Sequence, residues 1–200
     1  MKGLLLKDWY MIAKYNRIFL LVLLVISAML YFDGNTCFFA IYLCVLTGTL
    51  PVSALSYDDR EKWCAYCQTM PVTRAEYVGG KYILGCLFAA AAVALNALPL
   101  LVRGAAASEL AGLLPILPLL ALAPSAVCLP LFFRFGAEKG RMAYLIVIVV
   151  LCVGGNTVNQ AGLDSLTASG GFGLAALAAA AVMYGLSWLL SVRFFEKKEL

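Results

Sequence analysis

Cys64 and Cys67 have the one spacing in this chain, C-x-x-C, that is common in redox motifs and zinc sites. A structural zinc site needs four ligands, and the sequence has no second C-x-x-C pair and no histidine to complete one. The absence of histidine also removes the usual general base of hydrolytic catalysis. Because residues three apart on a helix share a face in any case, we interpret the pair as incidental, with neither a redox nor a metal role.

The composition is that of an integral membrane protein. Of 200 residues, 64% are apolar and 13% are charged, whereas soluble domains average about 45–50% apolar and about 25% charged residues. No hydrophilic stretch is long enough for a soluble catalytic domain, and no Walker A motif, G-x-x-x-x-G-K-[ST], is present. We therefore expect a single transmembrane domain over residues 1–200 that is not an enzyme. Its basic residues follow the membrane rather than one basic face, so they do not indicate a nucleic-acid partner.

Long uncharged runs predict an all-α membrane protein with an N-terminal interfacial helix and six transmembrane helices. Residues 1–16 place Trp9 and Ile12 on one helical face and Lys7 and Lys14 on the opposite face, as in a helix lying on a membrane. A span needs about 20 residues, and backbone in lipid must be helical. The predicted spans lie near 17–33, 36–56, 81–102, 110–133, 142–160 and 171–192.

The distribution of basic residues predicts the orientation. With six spans, fourteen of the fifteen lysines and arginines fall on one side of the membrane, and Arg103 alone falls on the other. The positive-inside rule makes the basic side cytoplasmic. Both termini and the polar residues 57–80 are therefore expected in the cytoplasm.

This polar stretch carries two helix-start signals. Ser56 is followed by Asp59, and Thr73 is followed by Glu76, so each hydroxyl has an acid three residues later, as in a capping box. Pro71 separates the two signals, because it lacks an N–H and disfavours helical geometry before it. The pattern predicts two short charged helices joined by a proline turn.

Apart from Arg17, Asp33 and Lys81 at their ends, the predicted spans contain no charged residue, and the polar groups most costly to bury in lipid are three asparagine side chains. Asn96, Asn156 and Asn159 are therefore candidates to line a cavity, with helix-to-helix hydrogen bonding as the alternative. Ion-coupled carriers usually place acids or bases inside the membrane. Without such a relay, energy for transport would have to arrive through a cytoplasmic surface.

The order of these parts resembles the short six-helix permeases of ABC transporters, of the ABC-2 type. The resemblance rests on the N-terminal MKGLLLKDWYMIAKYNR, on YDDREKWCAYCQTMPVTRAEYVGGKY after the second span, and on the basic tail FFEKKEL. Family members have a similar lysine-rich first helix, then an acidic stretch, a tryptophan and a Leu/Met-Pro-Val-Ser/Thr-Arg segment. Here Met70 to Arg74 stand at that segment.

The resemblance implies a permease in the bacterial cytoplasmic membrane that works with a separate ATP-binding-cassette subunit. That subunit would carry ATP and Mg²⁺, so no cofactor is expected in this chain. It also implies pairing with a second permease chain, identical or related, and export of an amphipathic or antimicrobial-type peptide or another hydrophobic cargo. In the family, the segment after the second span forms a coupling helix that docks on the ATPase. Carried onto this sequence, the candidate coupling residues are Asp58, Asp59, Arg60, Glu61, Trp63 and Arg74.

A second class of protein has the same size and helix number, namely the substrate-capture subunits of vitamin uptake systems. Such a subunit does not need the long charged segment 57–80, which favours the permease. A membrane enzyme is the third alternative, but the chain lacks paired intramembrane acids as well as histidine.

Overall fold

A computed structural model of the chain describes residues 2–32, 36–67, 73–102, 116–160 and 170–197. Within these ranges the protein is helical, with non-helical residues between successive helices, just before Arg74 and at Gly136, and with no strand. The helices are α1 (Lys2–Tyr15), α2 (Arg17–Phe32), α3 (Thr36–Gly48), α4 (Leu50–Arg60), α5 (Trp63–Cys67), α6 (Arg74–Val102), α7 (Ile116–Gln160) and α8 (Gly170–Lys197).

The first two helices meet at Asn16 at an angle of 80°. The sharp bend lets α1 run across its neighbours, and α1 contacts α2, α4 and α6. Ile12 is buried as expected for the apolar face, Lys14 is exposed as expected for the polar face, and Trp9 is exposed as well. Lys7 turns inward, opposite to the sequence prediction. The prediction for Lys7 was wrong because it considered α1 alone, whereas a carboxylate on α4 draws the lysine into the bundle.

Four described helices are long and apolar enough to cross a membrane: Ala40–Arg60, Arg74–Leu98, Ile116–Gly136 and Ala175–Phe195. They correspond to the second, third, fourth and sixth predicted spans. The bent pair of α1 and α2 would supply a fifth, and the first predicted span coincides with α2. The fifth predicted span, 142–160, lies in α7, where most side chains are outside the described part of the chain. The count of six spans and the cytoplasmic termini stay predictions.

Gly136 interrupts α7 with a φ of 79° and a ψ of 179°. A helix of 45 residues would be about 68 Å long at roughly 1.5 Å per residue, about twice the hydrocarbon core of a membrane. The positive φ, which glycine adopts without a steric penalty, separates the two halves within the basic stretch 134–141. Gly140 then packs directly on the Phe132 ring, where a Cβ atom would come within 2.7 Å of a ring carbon.

Hydroxyl groups join the later helices. The Tyr82 hydroxyl on α6 lies 2.6 Å from the Ser187 hydroxyl and 2.7 Å from that of Ser191, both on α8. Ser187 donates to the Ala126 carbonyl of α7, and Tyr184 donates to the Tyr82 carbonyl at 2.8 Å. In a membrane, apolar contacts between helices are no more favourable than contacts with lipid. Hydrogen bonds such as these therefore help to fix the register of α6, α7 and α8.

Candidate functional site

Four charged side chains from three helices meet inside the protein and form what we call the buried ion cluster: Lys7 and Asp8 of α1, Asp58 of α4, and Lys81 of α6. Asp58 and Lys81 are each 1% exposed and Asp8 is 3% exposed. The Lys7 side chain retains 25% exposure, so it closes the cluster toward solvent.

Every carboxylate in the cluster contacts both lysines. Lys7 Nζ lies 2.6 Å from Asp58 Oδ1 and 3.1 Å from Asp8 Oδ1. Lys81 Nζ lies 2.6 Å from Asp58 Oδ2 and 2.8 Å from each oxygen of Asp8. Two cations and two anions cancel, so the cluster buries four charges with no formal net charge. Such burial is tolerated only where each ion is closely paired and hydrogen-bonded.

Aromatic side chains complete the surroundings of the cluster. The Tyr77 hydroxyl donates to Asp58 Oδ2 at 2.9 Å. The Lys7 ammonium lies 4.4 Å from the centre of the Trp63 ring, within the range of a cation–π contact. The cluster thus joins α1, α4 and α6 directly and reaches α5 through Trp63.

Immediately after Asp58 the chain turns its charges outward. Arg60, Glu61 and Lys62 are exposed and form what we call the exposed strip. Glu61 caps the end of α4, and its backbone N–H donates to the Tyr57 carbonyl. Lys62 has a φ of 54°, the left-handed conformation that stops a helix, so the chain changes direction there before α5 begins at Trp63.

Thr73 and Glu76 form the predicted capping box at the start of α6. The Thr73 N–H and hydroxyl donate to Glu76 Oε2 at 2.9 and 3.0 Å, and the Glu76 N–H donates to Thr73 Oγ1 at 3.2 Å. This helix start is confirmed. The start predicted at Ser56 is wrong, because Ser56 lies inside α4, which begins at Leu50 as a continuation of the apolar span.

The sequence matches the family model described as ABC-2 family transporter protein over residues 3–196. The chain belongs to the ABC-2 transporter family. No curated protein and no solved structure matched it. The family match makes this multi-pass membrane protein a permease component of an ABC transporter, and the family partners with an ABC ATPase.

Within this ABC-2 permease, the six candidate coupling residues have different environments. Asp58 is enclosed in the buried ion cluster, whereas Arg60 and Glu61 belong to the exposed strip. Asp59 is half-buried and lies near Gly136, where a Cβ atom would be 3.8 Å from Asp59 Oδ2. Trp63 is half-buried against Lys7. The sixth, Arg74, is half-buried and donates to the Phe195 carbonyl of α8 at 3.3 Å.

Of the three asparagine candidates of the ABC-2 permease, the structure describes the side-chain contacts of Asn96. Asn96 is 2% exposed, and its Nδ2 donates to the Ala92 carbonyl at 2.8 Å and contacts Cys44 Sγ at 3.4 Å. Its Oδ1 is buried without a partner among the described residues, and it lines neither of the cavities described below. Asn156 and Asn159 lie on α7, but their side chains are outside the described part of the chain.

Cys67, the second residue of the C-x-x-C pair, is a buried thiol of the permease, and burial raises the pKa of that thiol. The Cys64 side chain lies outside the described part of the chain. Among the described residues, no group of three or more cysteine, aspartate or glutamate side chains could hold a metal ion.

Sequence reasoning missed four members of this arrangement: Lys7, Asp8, Tyr77 and Lys81. A signal for one of them was present, since Lys81, like the candidate Asp58, stands where a long apolar run meets a charged segment. Opposite charges at the same predicted membrane level are expected to pair. The specific partners could not be predicted, because they come from positions 51 and 73 residues apart.

Proposed function

We propose that the chain is the permease subunit of an ATP-driven exporter and receives force from its ATPase partner through residues 57–80, the coupling segment. The observation that carries the proposal is the abrupt change from a buried to an exposed charge within α4. Asp58 is fixed inside the bundle, and Arg60, two residues later, is available to a partner.

The two sets of charges have separate roles in this proposal. The exposed strip, residues 60–62, docks on the ATPase, because exposed charges set the register and the association rate of an interface. The buried ion cluster then carries displacement of the docked segment into α1 and α6, because its short ion pairs cannot lengthen without exposing unpaired charge. Asp58 is thus assigned to the internal joint rather than to the docking surface.

Asp59 and Arg74 extend the same joint to the remaining helices. Asp59 lies beside Gly136, the break in α7, and Arg74 bonds the Phe195 carbonyl of α8. The coupling segment therefore contacts α6, α7 and α8, so its displacement would be passed to each of these long helices. ATP and Mg²⁺ bind on the partner ATPase, and closure of two ATPase subunits drives two coupling segments.

In this proposal two permease chains, identical or related, enclose the translocation path in the bacterial cytoplasmic membrane. The interiors of the predicted spans, between the charges at their ends, carry no charged residue, which supports a hydrophobic or amphipathic cargo, including peptides of the antimicrobial type. The vitamin-capture alternative is disfavoured by the family match and by the exposed strip, for which a capture subunit has no use.

The test is a charge swap, Arg60→Glu with Glu61→Arg, in the complex reconstituted with its ATPase. The swap keeps composition and net charge and reverses only the order of two exposed charges. We expect ATPase affinity to fall about tenfold to a hundredfold, as when charge pairs at an interface become like-charged. Thermal stability of the permease alone should not change, because both side chains are exposed.

Arg193→Glu provides the control, because Arg193 is also exposed and is predicted on the same side of the membrane but lies outside the coupling segment. It should leave ATPase affinity within about twofold. Equal affinity for the swapped and unchanged permeases would remove the exposed strip from the interface.

A further inference from the structure

A crevice between α4 and the two halves of α7 combines apolar walls with Arg60, which is the one cation among the lining residues that the structure describes. It has a volume of about 350 Å³ and is lined by Val52, Ser53, Ser56, Tyr57, Arg60, Phe132 and Leu145. Val52 and Phe132 also belong to the hydrophobic core, so this part of the wall is held in place by packing.

The hydroxyl groups of the crevice already have partners. Ser53 donates to the Thr49 carbonyl at 3.3 Å, and Tyr57 donates to Asn16 Oδ1 at 3.3 Å. Ser56 has an interaction of its own as well. The donors that remain for a ligand are therefore the N–H groups of Arg60, which forms no ion pair with any side chain that the structure describes.

The neighbouring acids point elsewhere. Asp58 is enclosed in the buried ion cluster, Asp59 lies beside Gly136, and neither lines the crevice. Glu61 is exposed and also absent from the lining. An arginine that forms no ion pair with a described carboxylate offers its charge to an anion, and its planar group suits phosphate or carboxylate.

We propose that this crevice binds an amphipathic anion, with the phosphate or carboxylate head on Arg60 and the apolar tail against Val52, Phe132 and Leu145. The site selects for negative charge and against cationic amphiphiles, which would meet the arginine. A second cavity, between α6 and α8, provides a contrast: it is larger, about 680 Å³, and carries Glu76 rather than a cation. This binding does not rest on the proposed function.

The experiment measures lipid selectivity of the purified full chain in phosphatidylcholine nanodiscs without any ATPase. Electron paramagnetic resonance gives the immobilised fraction of spin-labelled phosphatidylglycerol and of spin-labelled phosphatidylcholine. The unchanged protein should select phosphatidylglycerol, and Arg60→Gln should reduce that selectivity about tenfold, the order of one charge-assisted hydrogen bond. Arg193→Gln is the matched control, since it removes an exposed arginine outside the crevice, and it should retain selectivity.

A second variant tests the shape of the site without touching its charge. Leu145→Trp adds volume to the crevice wall from α7 at a largely exposed position, 61% accessible, where the fold tolerates the change. It should reduce selectivity for phosphatidylglycerol although Arg60 is intact. Equal selectivity in Arg60→Gln and the unchanged protein, or an equal loss in Arg193→Gln, would overturn the proposal.

A competition experiment distinguishes a free amphipathic anion from the headgroup of a membrane lipid as the ligand of the crevice. Dodecyl phosphate and dodecylphosphocholine share one tail and differ in net charge. Release of spin-labelled phosphatidylglycerol by dodecyl phosphate, but not by dodecylphosphocholine, supports a site open to free amphipathic anions. Arg60-dependent selectivity without such release supports a site for the headgroup of a membrane lipid. Because no ATPase is present, failure here leaves the docking role of the exposed strip untouched.

Discussion

Asp58 and Arg60 stand two positions apart at the end of α4, yet the fold uses them in opposite ways. Asp58 is 1% exposed and contacts two lysines and a tyrosine, whereas Arg60 faces solvent beside a crevice. Removing a partner from the buried ion cluster leaves an uncompensated charge in a low-dielectric interior, but removing an exposed charge costs little. One short charged segment therefore combines buried contacts that link the helices with a surface that faces solvent.

Removing one ion from the buried ion cluster should have the largest effect on stability. Lys81→Met leaves Asp8 and Asp58 with Lys7 alone, so we expect the free energy of unfolding to fall by about 3–5 kcal/mol. The measurement is reversible unfolding of the purified chain in mixed micelles. Lys14→Met, which removes an exposed lysine of α1, should cost no more than about 0.5 kcal/mol, and equal losses for the two variants would contradict a structural role of the cluster.

Replacing the whole cluster by apolar residues separates stability from coupling. The combined variant Lys7→Met, Asp8→Leu, Asp58→Leu and Lys81→Met should recover most of the stability lost in Lys81→Met, because no buried charge is left unpaired. Stimulation of the ATPase by cargo should nevertheless be lower than with the unchanged permease in the reconstituted complex, because the directional ion pairs are gone. Full stimulation by this variant would show that α1, α4 and α6 transmit force without the cluster.

Tyr77→Phe removes a single hydrogen bond to the buried ion cluster and should therefore have a smaller effect than the loss of an ion. The Tyr77 hydroxyl donates to Asp58 Oδ2, and a bond to a charged group contributes about 1.5–3 kcal/mol. The same unfolding measurement should show a loss of that order. Tyr10→Phe is the control at an exposed tyrosine, 67% accessible, and a comparable loss there would show that the hydroxyl of Tyr77 has no special role.

The smallest effect is expected at the exposed end of the coupling segment. Thr73→Ala removes the side-chain cap of α6 and should cost about 1 kcal/mol of stability. Thr73→Ser keeps the hydroxyl and should restore most of that loss. A loss as large as that of Lys81→Met would mean that the exposed part of the segment is as tightly integrated as the buried part.

The sequence predicted the parts of the fold that depend on local pattern. Long apolar runs gave the helices and four of the candidate spans, and the Thr73 and Glu76 pattern gave the start of α6. The Ser56 signal failed because the apolar span that precedes it continues as helix, so its hydroxyl lies in the interior of α4. A local signal of this kind decides a helix start only where the preceding residues are not already helical.

The candidate site depended on tertiary contacts and was predicted only in part. The segment was found from its charge, but Asp58 was grouped with its exposed neighbours, and Lys7 was placed on the outer face of α1. Both errors have one physical cause. An unpaired lysine or aspartate would stay exposed to water, but the two can be buried together when they form an ion pair. Pairing across 51 residues is a property of the folded bundle and has no local pattern.

In the proposed mechanism, force enters through the exposed strip while Asp58 holds the coupling segment to the bundle. Site-specific photocrosslinking in the reconstituted complex tests whether the strip contacts the ATPase. A photoreactive amino acid is placed at position 61 and, for comparison, at position 193, both of which carry exposed side chains. We predict crosslinks to the ATPase from position 61, enhanced when ATP is bound, and few or none from position 193. Equal crosslinking from both positions, or none from position 61, would contradict the account.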